Sequence, residues 1–297
     1  MRVTRRQSWV LALVTAGFLA LVAATIPAQA MAAPRATEAP AAQHCNNVEF
    51  IGARGSGQHY TGKGSFGGLG PEVSKMVGVI KAQLGKKRFS YGTDALPYPA
   101  VSDSVLIPSA LEVAEILAGD VTVYITNNLD KFMGSISKGV DDAISDMNDY
   151  HKLCGATVFV LAGYSQGAMV MHTVQNDLNR HSAVFKKIAG TLLLADGFRA
   201  PHTKAHQFGT SKTGGEGIVP WLLGPGRDVS LPGTTANICD ANDFVCDTTR
   251  DTWIHISGDL KIHSDYTHCD SKWQCTSQKV LTTASTWVGD AVIKRLG

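Results

Sequence analysis

The residues best placed to do chemistry in this chain are Gly163-Tyr164-Ser165-Gln166-Gly167, a serine held between two glycines. A neutral serine is a poor nucleophile, so a base must take its proton as it attacks a carbonyl carbon. The charge that develops on the carbonyl oxygen then needs fixed hydrogen-bond donors. The pattern Gly-x-Ser-x-Gly is weak by itself, because a chain with 30 glycines in 297 residues meets it by chance about 0.2 times. Its context raises it. Thr157 to Leu161 is a continuous apolar run, as expected of a strand buried on both faces, and it ends at Ala162. Gln166 to Leu178 reads as a helix, so the pentad makes the turn between them. Strand, sharp turn and helix form a nucleophile elbow, which lifts serine Oγ above the sheet and aims the backbone N–H of Gln166 as an oxyanion donor. A Cβ at either glycine would crowd the neighbouring strand and helix.

The base and its supporting acid follow such a serine in the order Ser, Asp or Glu, His. Asp196, Asp240, Asp243 and Asp247 satisfy that order on the acidic side, and His255, His263 and His268 on the basic side. Order alone leaves the choice open. Upstream, the Gly-rich stretch Arg54 to Gly70 lacks the Gly-Lys-Ser/Thr ending of a phosphate-cradling loop. Arg54 reads as structural.

Those side chains need a scaffold. Val48 to Ala53 reads as a strand, Pro71 to Leu84 as a helix and Phe89 to Tyr98 as a second strand. Leu129, Met133, Ile136, Val140, Ile144 and Met147 recur at helical spacing, with Asn128 as a candidate cap, and the stripe is expected to pack on a sheet. Ile188 to Leu194 reads as another buried strand, Pro201 to Thr235 as a long loop region, and Ser277 to Leu296 as a closing helix that turns Val280, Ala284, Trp287, Ala291 and Ile293 inward. Alternating strands and helices imply a mainly parallel sheet covered on both sides, a three-layer α/β architecture of the α/β-hydrolase type.

The N-terminus points to export. Arg2, Arg5 and Arg6 precede an apolar run from Trp9 to Ile26, and Ala28-Gln29-Ala30 and Ala30-Met31-Ala32 offer cleavage sites. This is the pattern of a signal peptide over residues 1–32; an uncleaved anchor is the alternative. Residues 33–42 read as a flexible Ala- and Pro-rich leader and 43–297 as one domain. Without the first 32 residues the 27 basic side chains become 24, against 25 acidic ones. So balanced a charge offers no footprint for nucleic acid. All six cysteines lie in the domain, and an even count in an exported chain implies three disulfides. Short intervals favour Cys239 with Cys246 and Cys269 with Cys275, leaving Cys45 with Cys154. No paired Cys-x-x-Cys knuckles suggest a metal.

The chain also resembles the cutinase family, which includes acetylxylan esterases. The likeness runs through Phe50-Ile51-Gly52-Ala53-Arg54-Gly55-Ser56, Leu96-Pro97-Tyr98-Pro99-Ala100-Val101, Cys154 eleven residues before Ser165, Ile188-Ala189-Gly190-Thr191, Asp243-Phe244-Val245-Cys246 and His263-Ser264-Asp265-Tyr266. The resemblance implies Ser165 as nucleophile, His263 as general base and then acid, and Asp243 as the carboxylate that orients it. It also implies Ser56 as the second oxyanion donor beside Gln166. An extracellular monomer that hydrolyses carboxylic esters without metal or cofactor is the expectation; its substrates would be cutin-like polyesters, aliphatic acyl esters, lipids or acetylated xylan, with a phospholipase or thioesterase and a secreted binding protein on an inactive hydrolase fold as the alternatives. Three departures stand out: a longer segment between Val101 and Cys154, the extra pair Cys269 and Cys275, and a stretched interval from Cys246 to His263. Val105, Leu106, Ile107, Val121, Val123 and Ile125 in the longer segment are expected to shape an acyl-binding wall or partial lid.

Overall fold

A computed structural model describes residues 45–102, 109–120, 122, 130–211, 214–267 and 276–297. The signal peptide and leader, Asn128, His268, the Cys269 and Cys275 pair and the apolar residues of the expected acyl wall lie outside the described residues.

Six strands form one sheet: β1 (Val48–Ala53), β2 (Tyr91–Ala95), β3 (Val158–Tyr164), β4 (Ile188–Leu194), β5 (His206–Phe208) and β6 (Thr235–Ile238). Their order is β2-β1-β3-β4-β6-β5, and every neighbouring pair is parallel. The three central strands β1, β3 and β4 are buried at every position, as their mainly apolar sequences lead one to expect, and Glu49 and Thr191 are buried with them.

The helices are α1 (Gly70–Lys86), α2 (Ala110–Leu117), α3 (Asp130–Leu153), α4 (Gln166–Asp177), α5 (Ala183–Lys186), α6 (Ile218–Leu223), α7 (Arg250–Ile254), α8 (Ile256–Ser264) and α9 (Thr276–Leu296). One face of the sheet carries α1 and α9, where Val73, Met76 and Ile80 share a core with Leu281, Val288 and Val292. The other carries α3 and α4, where Phe132, Ile136, Val140 and Met147 pack with Met169, Val170 and Val174. The stripe expected on α3 therefore packs inward from Met133 to Met147; its first member, Leu129, lies outside the described residues. On α9 the expected face holds at Ala284 and is otherwise off by about one position. Leu281, Ala284, Val288 and Val292 are fully buried, while Val280, Trp287 and Ile293 are only partly so. Both stripes recur at helical spacing, so periodicity could not choose between faces twisted by a single residue.

Other boundaries moved as well. The second strand is confined to Tyr91–Ala95, because Pro97 and Pro99 cannot donate to a ladder. The stretch read as a long loop holds β5 and α6 and ends in a 3₁₀ turn, Pro232–Thr234, that feeds β6. Short strands at a sheet edge carry too few residues for a periodic signal.

The disulfides Cys45–Cys154 and Cys239–Cys246 are formed, with Cα atoms 5.4 and 6.0 Å apart. The first spans 109 residues and ties the start of β1 to the end of α3. Closing so long a loop removes much unfolded-chain entropy. Replacing both of its cysteines (Cys45→Ser with Cys154→Ser) is expected to lower the unfolding free energy by about 2–5 kcal/mol. Urea titration reads this as a lower midpoint, and an unmoved midpoint would refute the account.

Candidate active site

The chain reverses its direction of travel across the sheet between β1 and β3: β2 lies on one side of β1, while β3 lies on the other. In open α/β sheets the crevice beyond the carboxyl ends of two such strands is where sites form. The register pairs Ala53 with Gly163, so the loop leaving β1 lies against the pentad leaving β3.

At the end of β3 the backbone folds back within one residue. Ser165 has φ 54° and ψ −120°, a strained conformation for a non-glycine residue, and α4 starts at Gln166. The strand itself runs on through Gly163 and Tyr164, two residues past the end expected from its apolar run. The glycines are required. A Cβ on Gly163 would stand 2.2 Å from the carbonyl oxygen of Gly167, and one on Gly167 would stand 2.0 Å from that of Ala53.

Ser165 Oγ lies 2.9 Å from His263 Nε2. His263 Nδ1 lies 3.0 and 3.1 Å from the two oxygens of Asp243. An ionised carboxylate only accepts, so Nδ1 carries the proton and Nε2 is left to accept from the serine. His263 sits at the end of α8, and Tyr164 braces it twice: its ring stacks on the imidazole at 5.3 Å between centroids, and its hydroxyl donates to the His263 carbonyl at 2.8 Å. Tyr164 is in the pentad itself, yet nothing in its sequence position marks it as a brace.

Asp243 is fully buried in the short loop that Cys239 and Cys246 close. Its Oδ1 accepts from the amides of Val245 (2.7 Å) and Cys246 (3.3 Å), and its Oδ2 from the Tyr266 hydroxyl (2.8 Å). Burial by itself would raise this carboxyl, but the His263 ring, Tyr266 and the Val245 amide outweigh it and hold the group below its usual range. The carboxylate is therefore ionised at neutral pH.

Ser56 lines the same cleft of about 440 Å³ as Ser165, with Gln58, Glu72, Tyr164, Leu260, Lys261, His263 and Ser264. Its Oγ is buried without a hydrogen-bond partner among the described residues. Buried donors without partners are rare, and a site that must receive new negative charge is one place they are found. Arg54 is structural: its guanidinium donates to the carbonyls of Gln58 (2.7 Å), Leu96 (3.0 Å) and Tyr98 (2.6 Å).

The rival residues lie elsewhere. Asp196 faces His172, with Oδ2 2.7 Å from Nδ1, and does not meet His263. Asp240 accepts from Thr210, Asp247 from Ser211, and His255 Nδ1 lies against the Asp251 carbonyl. His172 is a second buried histidine paired with a carboxylate, and its Nε2 lies 3.0 Å from the Arg227 carbonyl, so both ring nitrogens face acceptors. Burial lowers its pKa, but Asp196 and the Arg227 carbonyl more than compensate, and the value is raised. A raised histidine adds stability that is fully present below its unfolded pKa of about 6.5 and is lost as pH climbs through the higher folded value. The melting temperature is thus expected to fall above neutrality, and His172→Gln to flatten that limb in melts between about pH 6 and 9. Parallel curves for the two proteins would argue against this.

The sequence model of the Cutinase family matches residues 44–273. The chain belongs to the cutinase family. As a member it is a carboxylic ester hydrolase, and the curated proteins it resembles carry related descriptions. "Carboxylesterase Culp1" of Mycobacterium tuberculosis and that of Mycobacterium bovis are each 27% identical to this cutinase-family chain over 227 residues, covering 76% of it and 81% of their own length. Among solved structures, a cutinase-like protein from Cryptococcus sp. shares the fold with a TM-score of 0.53 and 17% identity, over 84% of this chain and 97% of its own. The catalytic core of acetyl xylan esterase from Trichoderma reesei does so with a TM-score of 0.53 and 17% identity, over 83% and 99%.

Proposed function

We propose that this cutinase-family chain is a secreted serine esterase whose triad is Ser165, His263 and Asp243. One observation carries the reading: the continuous bond path from Ser165 Oγ through His263 to the buried Asp243 carboxylate. His263 Nε2 takes the serine proton as Oγ attacks the ester carbonyl carbon. The oxyanion so formed is held by the Gln166 backbone N–H and by Ser56. Collapse expels the alcohol, which takes the proton from His263, and leaves an acyl group on Ser165. Water activated by the same imidazole then releases the acid. Asp243 stays ionised throughout and stabilises the imidazolium.

Secretion rests on residues 1–32, whose charged start, apolar run and Ala-x-Ala exits fit a signal peptide, and on two disulfides, which persist in oxidising compartments. Among the described residues no helix is long and apolar enough to cross a membrane. We read residues 43–297 as one catalytic domain. Its substrates are aliphatic acyl esters, including polyesters and lipids. The polar cleft walls Gln58, Glu72 and Lys261 favour a second reading, acetylated polysaccharide.

A panel of p-nitrophenyl esters of rising chain length, a polyester film and acetylated xylan separates these readings. Turnover of the film and the longer esters supports the first, and release of acetate from xylan alone supports the second. A serine-directed phosphonate is expected to add one mass equivalent on Ser165; labelling of another residue counts against the triad.

A further inference from the structure

Ser56 cannot serve as a donor unless the loop that carries it is held still. Its neighbours are pinned: the Gly57 amide donates to the Ala100 carbonyl at 2.9 Å, and the Gln58 amide to the Gly55 carbonyl at 3.2 Å. Arg54 Nε also donates to the Gln58 carbonyl at 2.7 Å, and a further restraint comes from the Gln58 side chain. Gln58 Oε1 accepts from the Gly55 N–H at 2.9 Å, while Gln58 Nε2 donates to Glu72 Oε2 at 2.6 Å. Glu72 sits in the first turn of α1, is 4% exposed and lines the catalytic cleft. Its other oxygen, Oε1, accepts from Thr267 Oγ1 at 3.4 Å, on the segment that follows His263.

The chemistry of this chain of bonds has one sense only. A carboxylate offers no donor, so it can meet only the NH₂ end of the Gln58 amide. That turns the amide oxygen toward Gly55, where an acceptor is needed. A carboxylate also suits the first turn of a helix, where free N–H groups and the helix dipole favour negative charge. No step of ester hydrolysis calls for a buried acid beside the oxyanion loop. Its place is explained if it sets the orientation of Gln58.

We infer that Gln58 and Glu72 are positioning residues: Glu72 orients the Gln58 amide, and Gln58 thereby holds the Gly55–Ser56 peptide in the geometry that receives the oxyanion. The inference rests on the triad reading above. Since the loop acts on the transition state more than on bound substrate, its loss appears in kcat with KM little changed.

The test is a swap, with rates on p-nitrophenyl butyrate normalised to sites titrated by phosphonate. Gln58→Glu sets two carboxylates face to face and is expected to lower kcat roughly 10- to 100-fold, with KM within about twofold. Glu72→Gln alone preserves the sense of the bonds and is expected to lose clearly less kcat than Gln58→Glu. Combining Gln58→Glu with Glu72→Gln restores an acceptor toward Gly55 and a donor from position 72, so kcat is expected to recover to within about threefold. Gln58→Leu, which lacks any charge clash, is expected to lose about tenfold and covers the case of a poorly folded Gln58→Glu. Full kcat in Gln58→Leu, or a double variant as slow as Gln58→Glu, overturns the inference. Ser165→Ala, whose rate is normalised to protein concentration because it has no serine for the phosphonate to label, keeps the two readings apart. If it is dead while Gln58→Leu runs at wild-type speed, only the inference falls; if it retains turnover, both do.

Discussion

Ser165→Ala is expected to lower kcat on p-nitrophenyl butyrate by roughly 10⁴- to 10⁶-fold while the melting temperature stays near that of wild type. The reason is geometric. Oγ is the one atom of Ser165 that meets His263 Nε2, at 2.9 Å, and the elbow around it is fixed by backbone contacts that alanine keeps, such as the Ser165 N–H to the Leu194 carbonyl at 2.9 Å. His263→Ala is expected to cost a comparable factor, and the double variant hardly more than either alone, because nucleophile and base act as a unit. Steady-state kinetics on the three variants check this. Effects that multiply instead would mean that the serine has another base.

Asp243→Asn is expected to cost about 10⁴-fold in kcat, again with little loss of fold. The two amides of Val245 and Cys246 demand an acceptor at Oδ1, so the asparagine oxygen takes that place. Its NH₂ then falls at Oδ2, against His263 Nδ1 and Tyr266, whose hydroxyl already accepts from the Asp240 amide at 2.9 Å. The asparagine oxygen still lies 3.0 Å from Nδ1, but the NH₂ beside it opposes the Nδ1 proton and the neutral amide no longer stabilises the imidazolium, which favours the tautomer with its proton on Nε2 that cannot receive the serine proton. The acid limb adds a second check. A carboxyl depressed in the fold contributes stability that is present above its unfolded pKa of about 3.9 and is lost as pH falls through the lower folded value. The wild type is therefore expected to lose stability below about pH 4, and Asp243→Asn to lose less over that range. Near-wild-type kcat in Asp243→Asn would remove Asp243 from the triad.

The two buried histidine–carboxylate pairs show how far sequence can go. Asp196 and Asp243 both follow Ser165 in the required order, and both end up paired with a histidine. Chain order cannot separate them, since it says nothing about which imidazole reaches the serine. His172 lies on α4, seven residues beyond Ser165, and its ring points to the Arg227 carbonyl instead. Resemblance to the cutinase family had favoured Asp243 and His263; the sheet order explains why they can meet. Ser165 leaves β3, Asp243 follows β6 and His263 ends α8, and parallel strands bring the carboxyl ends of β3 and β6 to the same side of the sheet.

What the sequence determined by itself was local. The elbow, the buried strands over 158–162 and 188–194, the inward stripe of α3 and the pairing of Cys239 with Cys246 all follow from patterns spanning fewer than about 25 residues. Tertiary structure alone decided the rest. Tyr164 stacks on a ring 99 positions away, and Tyr266 supports a carboxylate 23 positions before it. The Gln58–Glu72 bridge joins a loop to a helix 14 residues on. Such contacts depend on distance and direction between side chains, and a polar residue in a loop carries no periodic mark of the partner it will meet. The α9 face is off by about one position because packing, and not spacing, selects among nearly equal apolar stripes, and the short strands β5 and β6 carry too few residues for a periodic signal.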